Sequence, residues 1–181
     1  ETALFEIERE MRETFPHVSV NAELCDVRDV QRLHAALQRE APHLVFHAAA
    51  LKHVSMVERH PTEGIRTNVI GTWNVAEASK ACGARQMVLI STDKAVDPTN
   101  AMGATKRLAE AVIQAQQATS NSDTRFSAVR FGNVLGSSGS VVPIFKSQIE
   151  RGGPVTVTHP DMTRFFMTIP EAAQLVLHAT A

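Results

Sequence analysis

The chain has 181 residues, a net charge of −1 and 44% hydrophobic residues, which suit one globular domain with a hydrophobic core. No Lys/Arg run exceeds two residues, so we expect no nucleic-acid partner. No apolar run reaches the roughly 20 residues of a membrane helix, and no signal peptide opens the chain. We therefore expect a cytoplasmic segment without membrane contact, in which Cys25 and Cys82 are reduced thiols.

Hydrophobic spacing predicts helices that alternate with short strands. The helices are expected over 1–14, 30–39, 61–82, 100–119, 141–150 and 171–179, and the strands over 17–24, 43–47, 87–90, 126–131 and 155–157. The inner stripes are predicted as Leu33, Ala36 and Leu37, then Ile65, Val69, Trp73 and Ala76, then Leu108, Ala111, Val112 and Ala115. Strands that alternate with helices of this length predict an α/β fold with a parallel sheet.

The polar stretch after the most apolar strand is the strongest candidate site. Thr92, Asp93 and Lys94 follow Met87–Ile90, and ligands of open α/β sheets bind beyond the carboxyl ends of strands. A Thr hydroxyl can bind an oxygen on which negative charge develops, and a neighbouring carboxyl and amine can act as acid and base. The alternative is that Asp93 and Lys94 form a solvated surface pair beside a helix cap.

Met102 and Lys106 are one helical turn apart and therefore share a face. Their spacing matches the Y-x-x-x-K pair of short-chain dehydrogenases, but Met stands in place of Tyr, and the chain contains no Tyr. The alternative for these two residues is simple packing of Met102 and solvation of Lys106.

Other kinds of site find less support. His43, His47 and His53 are loosely clustered, but no Cys or Glu completes a ligand set, so we expect no metal site. A serine hydrolase is disfavoured because there is no G-x-S-x-G elbow. The G-x-G-x-x-G phosphate loop of dinucleotide-binding proteins is also missing, since Gly136 and Gly139 have the wrong spacing.

Five segments together resemble one known family: H-A-A-A-L-K-H-V-S-M-V-E (47–58), T-N-V-I-G-T-W-N-V (67–75), S-T-D-K-A-V-D-P-T-N-A-M-G-A-T-K-R (91–107), R-F-G-N-V-L-G-S-S-G-S-V-V-P-I-F (130–145) and T-R-F-F-M (163–167). They are similar to the nucleotide-sugar 4,6-dehydratases of bacterial capsule and O-antigen biosynthesis. These are extended short-chain dehydrogenases that act on UDP-N-acetylglucosamine. Met102 resembles the large members, in which an N-terminal membrane region precedes this domain.

The resemblance implies a Rossmann-like, doubly wound parallel sheet. In the family, the first strand and the Gly-rich loop precede the helix that opens this chain, so the chain is expected to be part of a catalytic domain. Residues 1–132 would form part of an NAD(P)-binding domain, and 133–181 part of a UDP-sugar-binding region in the same structural unit. The family also pairs through the helices 61–82 and 100–119, which implies a homo-oligomer.

The resemblance further implies hydride removal from sugar C4, loss of the C5 proton and C6 hydroxyl, and hydride return to C6, with NAD or NADP as the cofactor. Thr92 would bind the C4 oxygen, Asp93 would be the acid for the C6 hydroxyl, and Lys94 the C5 base. The base for C4 oxidation, a role of the missing Tyr at the Met102 position, would be Asp93 or a water.

Binding residues are implied in the same way. The cofactor would contact Asp26, Val27, Ala48, Ala49, Ala50, Lys52, Asn68, Ser91 and Lys106, and the UDP-sugar would contact Lys94, Asn133, Ser140, Val141 and Arg164. Two alternatives to the dehydratase stay open: a UDP-sugar 4-epimerase, which shares the first hydride step, and a catalytically silent UDP-sugar-binding fragment.

Overall fold

Three parallel strands form the main sheet. The computed structural model describes residues 1–119, 121–137, 139–157 and 159–181. In it, β1 (Leu44–His47), β2 (Gln86–Thr92) and β3 (Arg125–Phe131) lie in the order β1-β2-β3, with β2 in the centre. Both strand pairs are parallel, which confirms the α/β prediction.

The central position of β2 explains its composition. Met87, Val88 and Leu89 are almost completely buried, because a parallel strand with neighbours on both sides is covered on both faces. Such a strand appears in sequence as a continuous apolar run rather than an alternating one. The polar residues Ser91 and Thr92 occupy its carboxyl end, where the covering helices leave an opening.

Helices connect and flank these strands: α1 (Thr2–Thr14), α2 (Val30–Glu40), α3 (Val54–Arg59), α4 (Pro61–Gly64), a π-helical turn (Ile65–Ile70), α5 (Gly71–Ala81), α6 (Ala101–Thr119), α7 (Val141–Glu150) and α8 (Ile169–His178). Side-chain caps fix several starts. Asp29 accepts a hydrogen bond from the Arg32 amide, and Thr168 and Glu171 form a capping box. Within the described residues, no helix is both long and apolar enough to span a membrane.

The main core lies between the sheet and helices α2, α5 and α6. It joins Leu33, Val75, Ala76, Ala78, Met87, Leu89, Ala109, Ile113 and Phe126. Burying one large apolar side chain contributes about 1.5–3 kcal/mol, so this cluster fixes α5 and α6 on the sheet. Helix α6 follows β2 directly and therefore brings its first turns to the carboxyl end of that strand.

A second, two-stranded sheet was not predicted. It pairs β4 (Asn133–Val134) with β5 (Phe166–Met167) in parallel. Strands of two residues show no periodicity, so sequence patterns do not reveal them. The close approach of β4 to β5 also depends on Gly132, since a Cβ at this position would lie 2.6 Å from the Phe165 carbonyl oxygen.

Two predicted strands are wrong. Residues 17–24 form no strand because no described strand lies beside them, and a strand needs a neighbour to pair its backbone groups. Residues 155–157 also form none. There the Gln148 side chain bonds the Thr156 amide at 3.1 Å and the Thr156 hydroxyl at 3.0 Å, so a side chain takes the place of a partner strand.

Two predicted inner stripes are only partly right: Ala76 is buried in the core, and Val69 and Val112 are half-buried, but the other members are exposed. Ile65 and Trp73 are exposed, whereas Gly64, Asn68 and Thr72 on the neighbouring face are buried. The predicted single helix 61–82 is in fact divided by the π-helical turn, which shifts the helical phase. In α6, the predicted stripe is similarly displaced: Leu108, Ala111 and Ala115 are exposed, and the buried face is Met102, Gly103, Thr105, Lys106, Ala109, Glu110, Ile113 and Gln116. Both helices turn a partly polar face inward.

Candidate functional site

A cleft of about 410 Å³ opens at the carboxyl ends of β1 and β2. Eleven of the residues predicted for the site line it: Ala48, Ala50, Lys52, Ser91, Thr92, Lys94, Met102, Lys106, Asn133, Ser140 and Val141. They come from three segments that are far apart in sequence, 48–52, 91–106 and 133–141. The fold therefore brings most of the predicted cofactor, catalytic and substrate residues to one opening.

Thr92, Asp93 and Lys94 form a hydrogen-bonded group at this opening. They lie where β2 ends and a short 3-10 turn, Asp93–Ala95, begins. The Thr92 hydroxyl donates to Asp93 Oδ1 at 2.9 Å, and Lys94 Nζ donates to the same oxygen at 3.0 Å. Lys94 Nζ also donates to Asn133 Oδ1 at 3.2 Å, which ties the group to the small sheet.

The charge state of Asp93 follows from these contacts. Partial burial acts to raise the pKa of Asp93, but the hydrogen bonds from Lys94 and Thr92 outweigh it and hold the pKa below its ordinary value. Asp93 is therefore a carboxylate paired with the Lys94 ammonium. Both side chains are partly exposed. Lys94 lines the cleft, whereas Asp93 lies outside the lining and meets it through its bonds with Thr92 and Lys94.

Lys106 reaches the cleft from the first turns of α6. Its Nζ donates to the Ile90 carbonyl at 2.7 Å, and only 6% of the residue is exposed. Burial lowers the pKa of Lys106 to about 8, and the negative charge of Glu110 acts in the opposite direction. Lys106 therefore holds a donor group at the cleft and changes charge just above neutral pH.

Asn68 fixes the loop that follows β1. Its Oδ1 accepts from the Leu51 amide at 2.7 Å, and its Nδ2 donates to the Leu51 carbonyl at 3.0 Å and to the Thr105 hydroxyl at 2.9 Å. Asn68 itself is buried. It thus supports the cleft wall from behind and links it to α6, although it was predicted to line the cofactor channel.

His47, at the end of β1, continues this network. The Thr72 hydroxyl donates to the Asn68 carbonyl at 2.6 Å, so the same oxygen accepts from His47 Nε2 at 3.0 Å. Burial, followed by the nearby Lys106 charge, lowers the pKa of His47 to about 4. The imidazole is therefore neutral at physiological pH and carries its proton on Nε2.

Ser140 offers a hydrogen-bonding group to a ligand. Its hydroxyl is buried and has no hydrogen-bond partner in the part of the chain that the structure describes. Ser140 lines the cleft immediately before α7. A buried hydroxyl usually has a partner, and the free backbone amides of a helix N-terminus favour anionic groups.

The remaining predicted residues lie outside this lining. Asp26 bonds Arg28 at 2.7 Å, and this contact lowers the pKa of Asp26 to about 2. Asp26, Val27 and Ala49 line a neighbouring depression. The exposed Arg164 donates to the Thr163 carbonyl at 2.7 Å, so the structure does not bring it to the cleft.

Several lining residues were not predicted, namely Leu51, His53, Ile90, Phe131, Gly132, Val134, Ser137 and Gly139. His53 packs against Gly139, whose φ is +66° and where a Cβ would lie 2.9 Å from the His53 ring. The signal that could have found Leu51 and His53 is their position in the loop after β1, at the same sheet edge as Thr92.

A family described as "Polysaccharide biosynthesis protein" matches residues 1–181. A probable polysaccharide biosynthesis protein, EpsC of Bacillus subtilis, is 56% identical over 91% of this chain and 27% of its own length. The capsular polysaccharide biosynthesis protein CapD of Staphylococcus aureus is 53% identical over 100% of this chain and 30% of its own length. A UDP-glucose 4-epimerase of Rickettsia rickettsii is 43% identical over 85% of this chain and 45% of its own length. The chain thus spans about a quarter to a half of these relatives.

Solved structures agree on the fold. The Bacillus thuringiensis protein Pen superposes with a TM-score of 0.90 at 39% identity, over 97% of this chain and 55% of its own. DesIV of Streptomyces venezuelae is a dTDP-glucose 4,6-dehydratase with NAD bound. It has a TM-score of 0.77 at 21% identity, over 87% of this chain and 53% of its own. MoeE5, in complex with UDP-glucose and NAD, has a TM-score of 0.79 at 23% identity, over 99% of this chain and 68% of its own. At such identities the last two structures show the shared Rossmann-like fold alone.

Proposed function

This chain belongs to the polysaccharide biosynthesis protein family, and from that premise we propose that it is part of a nucleotide-sugar 4,6-dehydratase. The substrate is UDP-N-acetylglucosamine, and the product is UDP-2-acetamido-2,6-dideoxy-4-hexulose. The observation that carries this proposal is the hydrogen-bonded group of Thr92, Asp93 and Lys94 at the cleft. A carboxyl and an amine at one reaction centre suit the removal of a proton and a hydroxyl from adjacent carbons.

NAD is the cofactor of this proposal, and the residues present suit it. Ala48 and Ala50 leave space beside the backbone after β1, and Lys106 supplies a donor for the nicotinamide ribose. When bound, NAD would supply a nicotinamide ring that can accept a hydride from the sugar and return it. Residues 1–132 would contribute the cofactor side, with Asp26, Val27 and Ala49 toward the adenine.

The UDP-sugar would occupy the side built by residues 133–181. Asn133 meets Lys94 there, and Ser140 and Val141 present a buried hydroxyl and the N-terminus of α7. These are groups that bind phosphate and sugar oxygens. Arg164 would reach the diphosphate only after moving from the Thr163 carbonyl.

The nucleotide substrate and cofactor are cytoplasmic metabolites, so we place this region in the cytoplasm.

Acid and base roles require one proton transfer within the Asp93–Lys94 pair. In the open cleft the pair is charged, because their mutual contact lowers the pKa of Asp93. When substrate excludes water, burial disfavours both charges and favours the neutral acid and amine. Lys94 then accepts the C5 proton, Asp93 donates to the leaving C6 hydroxyl, and Thr92 binds the C4 oxygen. A water takes the C4 hydroxyl proton, since Met102 has no group that can, and an Asp93 that has received the Lys94 proton is already a neutral acid.

Proton NMR of the natural full-length protein with UDP-N-acetylglucosamine in heavy water tests this proposal. We expect a 6-methyl signal with deuterium at C5. Asp93→Asn should reduce turnover by about 10²–10⁴-fold, the usual contribution of a positioned acid or base. Asp97→Asn is the matched control, because Asp97 lies in the same loop at φ 41°, which Asn tolerates, and it should retain activity.

UDP-sugar 4-epimerase is the second candidate, favoured by the 43% identity to the Rickettsia epimerase. Epimerisation inverts C4 and keeps the C6 hydroxyl, so an intact 6-CH2OH with an inverted C4 would overturn the dehydratase proposal. Unchanged sugar with intact UDP-sugar binding would instead support a silent binding module.

We also propose that the intact protein is a homo-oligomer. The π-helical turn, α5 and α6 leave apolar side chains in solvent: Ile65, Trp73 and Leu108 are 43%, 48% and 51% exposed. Burying such side chains against a second copy would be favourable. The inward faces of these helices carry the site network, so this outer surface is free to associate.

A further inference from the structure

A buried carboxylate joins three elements behind the cleft. Glu110 of α6 is only 2% exposed. Its Oε1 accepts from the Ser91 hydroxyl at 2.6 Å and from Arg130 Nε at 2.8 Å, and its Oε2 accepts from Arg130 Nη2 at 2.6 Å and Arg107 Nη1 at 3.3 Å. No sequence pattern indicated this role, since a Glu on a helix is usually solvated.

The position of these partners makes the contact specific. Ser91 of β2 and Arg130 of β3 are register partners, so Glu110 reaches across both strands at one level of the sheet. That level is one residue before Thr92. Glu110 also lies one turn after Lys106, whose Nζ bonds the carbonyl of Ile90, the residue before Ser91. Two successive residues of β2 are thus bound by two successive turns of α6.

We propose that Glu110 is a positioning residue for the cleft, which holds Ser91 and the end of β2 against α6 and supplies the negative charge that keeps Lys106 an ammonium donor. A purely structural clamp would need only the hydrogen bonds. The effect on Lys106 requires the negative charge of Glu110, and it rests on the position of Glu110 one turn from Lys106 on the same face of α6.

The electrostatic environment of Lys106 supports this role. Burial lowers the pKa of Lys106, and Glu110 is the group that acts to raise it. His47 on β1 also interacts with the charge of Lys106, but His47 is neutral above about pH 4. Burial acts to raise the pKa of Glu110 itself, but Arg130, Ser91 and Arg107 hold it below its ordinary value. Glu110 therefore stays charged through the range in which Lys106 titrates.

Glu110→Gln separates charge from shape, because Gln keeps the size and can still accept the Ser91 hydrogen bond. The natural full-length protein, labelled with ¹³C at lysine Cε, reports the Lys106 titration by NMR, and Lys106→Arg assigns the signal. We expect the midpoint, about 8 in the wild type, to fall by about one pH unit. If Lys106 binds NAD as an ammonium, Glu110→Gln should weaken NAD binding about fivefold at pH 8 and less than about twofold at pH 6.

Glu77→Gln is the matched control. Glu77 also joins two helices, accepting from Gln116 at 2.8 Å and pairing with Lys80. Gln116 is ten residues beyond Lys106 on α6, which corresponds to about 15 Å along the axis. Glu77→Gln should leave the Lys106 midpoint unchanged. An unchanged midpoint in Glu110→Gln, or an equal loss of NAD binding at both pH values, would overturn the proposal.

A second variant guards against failure to fold. Glu110→Gln leaves Arg130 without its ion-pair partner, which is destabilising, whereas the double variant Glu110→Gln/Arg130→Gln removes both charges. The double variant should lower the Lys106 midpoint by less than Glu110→Gln alone, because loss of the Arg130 charge acts in the opposite direction, and a midpoint above that of the wild type would contradict the proposal. The expected loss of NAD binding in Glu110→Gln rests on the proposed function. A lowered midpoint in a protein whose wild type binds no NAD would support the role of Glu110 and count against the dehydratase.

Discussion

At the scale of single residues, the ionisable side chains around the cleft owe their charge states to specific partners. Asp93 is a carboxylate because Lys94 and Thr92 donate to it. Lys106 titrates near pH 8 because it is buried, and His47 is neutral for the same reason. The shifts of these pKa values do not follow from the residue type alone, since the same side chains in water have ordinary pKa values.

Acidification should destabilise the chain through His47. The pKa of His47 is about 4 in the fold, against 6.5 for an ordinary histidine, so between these values the unfolded chain binds a proton that the folded chain does not. Stability is therefore highest above pH 6.5 and falls as the pH drops toward 4, with a total loss of about 3 kcal/mol.

Urea unfolding of the natural full-length protein between pH 7 and pH 4 measures this loss. His47→Gln removes the titration and should flatten the dependence by that amount, whereas His17→Gln, at an exposed position, should keep the wild-type slope. Equal slopes in His47→Gln and the wild type would contradict the assignment.

At the scale of elements, the unit β2, 3-10 turn and α6 carries the proposed chemistry. The turn folds back so closely that Gly103 of α6 contacts the Lys94 carbonyl, where any Cβ would overlap it. Asn100 fixes the start of the helix, since its Oδ1 accepts from the Gly103 amide at 2.9 Å. The same short segment therefore sets the distance between Lys94 on the turn and Lys106 on the helix.

Gly103→Ala should destabilise the protein by about 1–3 kcal/mol through this overlap, although helix propensity alone would favour Ala by about 1 kcal/mol. It should also lower turnover, because the turn that holds Lys94 must move. Thermal unfolding and the NMR assay measure the two effects. Ala104→Gly, at the next position, carries only the propensity loss and should keep its turnover. A stabilised, fully active Gly103→Ala would show that the turn is not held by this contact.

At the scale of the whole molecule, the helices that flank the sheet have two different faces. Their inner faces hold Asn68, Thr72, Lys106 and Glu110, which build the site. Their outer faces leave Ile65, Trp73 and Leu108 in solvent. The inner faces also hold the core residues Val75, Ala109 and Ile113. Large apolar side chains on the outer face as well depart from the usual arrangement of a surface helix, and this exposed apolar surface underlies the proposed homo-oligomer.

Charge placed on the outer face should prevent association. Trp73→Glu or Leu108→Glu should reduce the sedimentation mass of the natural full-length protein to that of a monomer without changing its helical circular dichroism. Ile149→Glu on α7, at a residue that is 63% exposed, is the control and should leave the mass unchanged. A monomeric wild type would rule out the oligomer.

The sequence by itself determined the α/β class, the central strand, the bounds of α7, and the cleft residues Thr92, Lys94, Met102 and Lys106; the other predicted lining residues came from the resemblance. Apolar runs, caps and polar residues after strands are local signals, and local signals survive without a structure. The resemblance added the proposed roles of Thr92, Asp93, Lys94 and Lys106, which follow from motif positions.

Only the tertiary structure decided which helix faces are buried, which predicted strands find partners, and how Glu110 contacts Ser91 and Arg130. The stripe predictions failed at Ile65, Trp73 and Leu108 because hydrophobicity was taken as the sign of burial, whereas these helices also bury polar groups whose hydrogen-bond partners lie on other elements. Burial of a polar group is favourable only when its partner is present. That partner is distant in the sequence, so no local pattern reveals it.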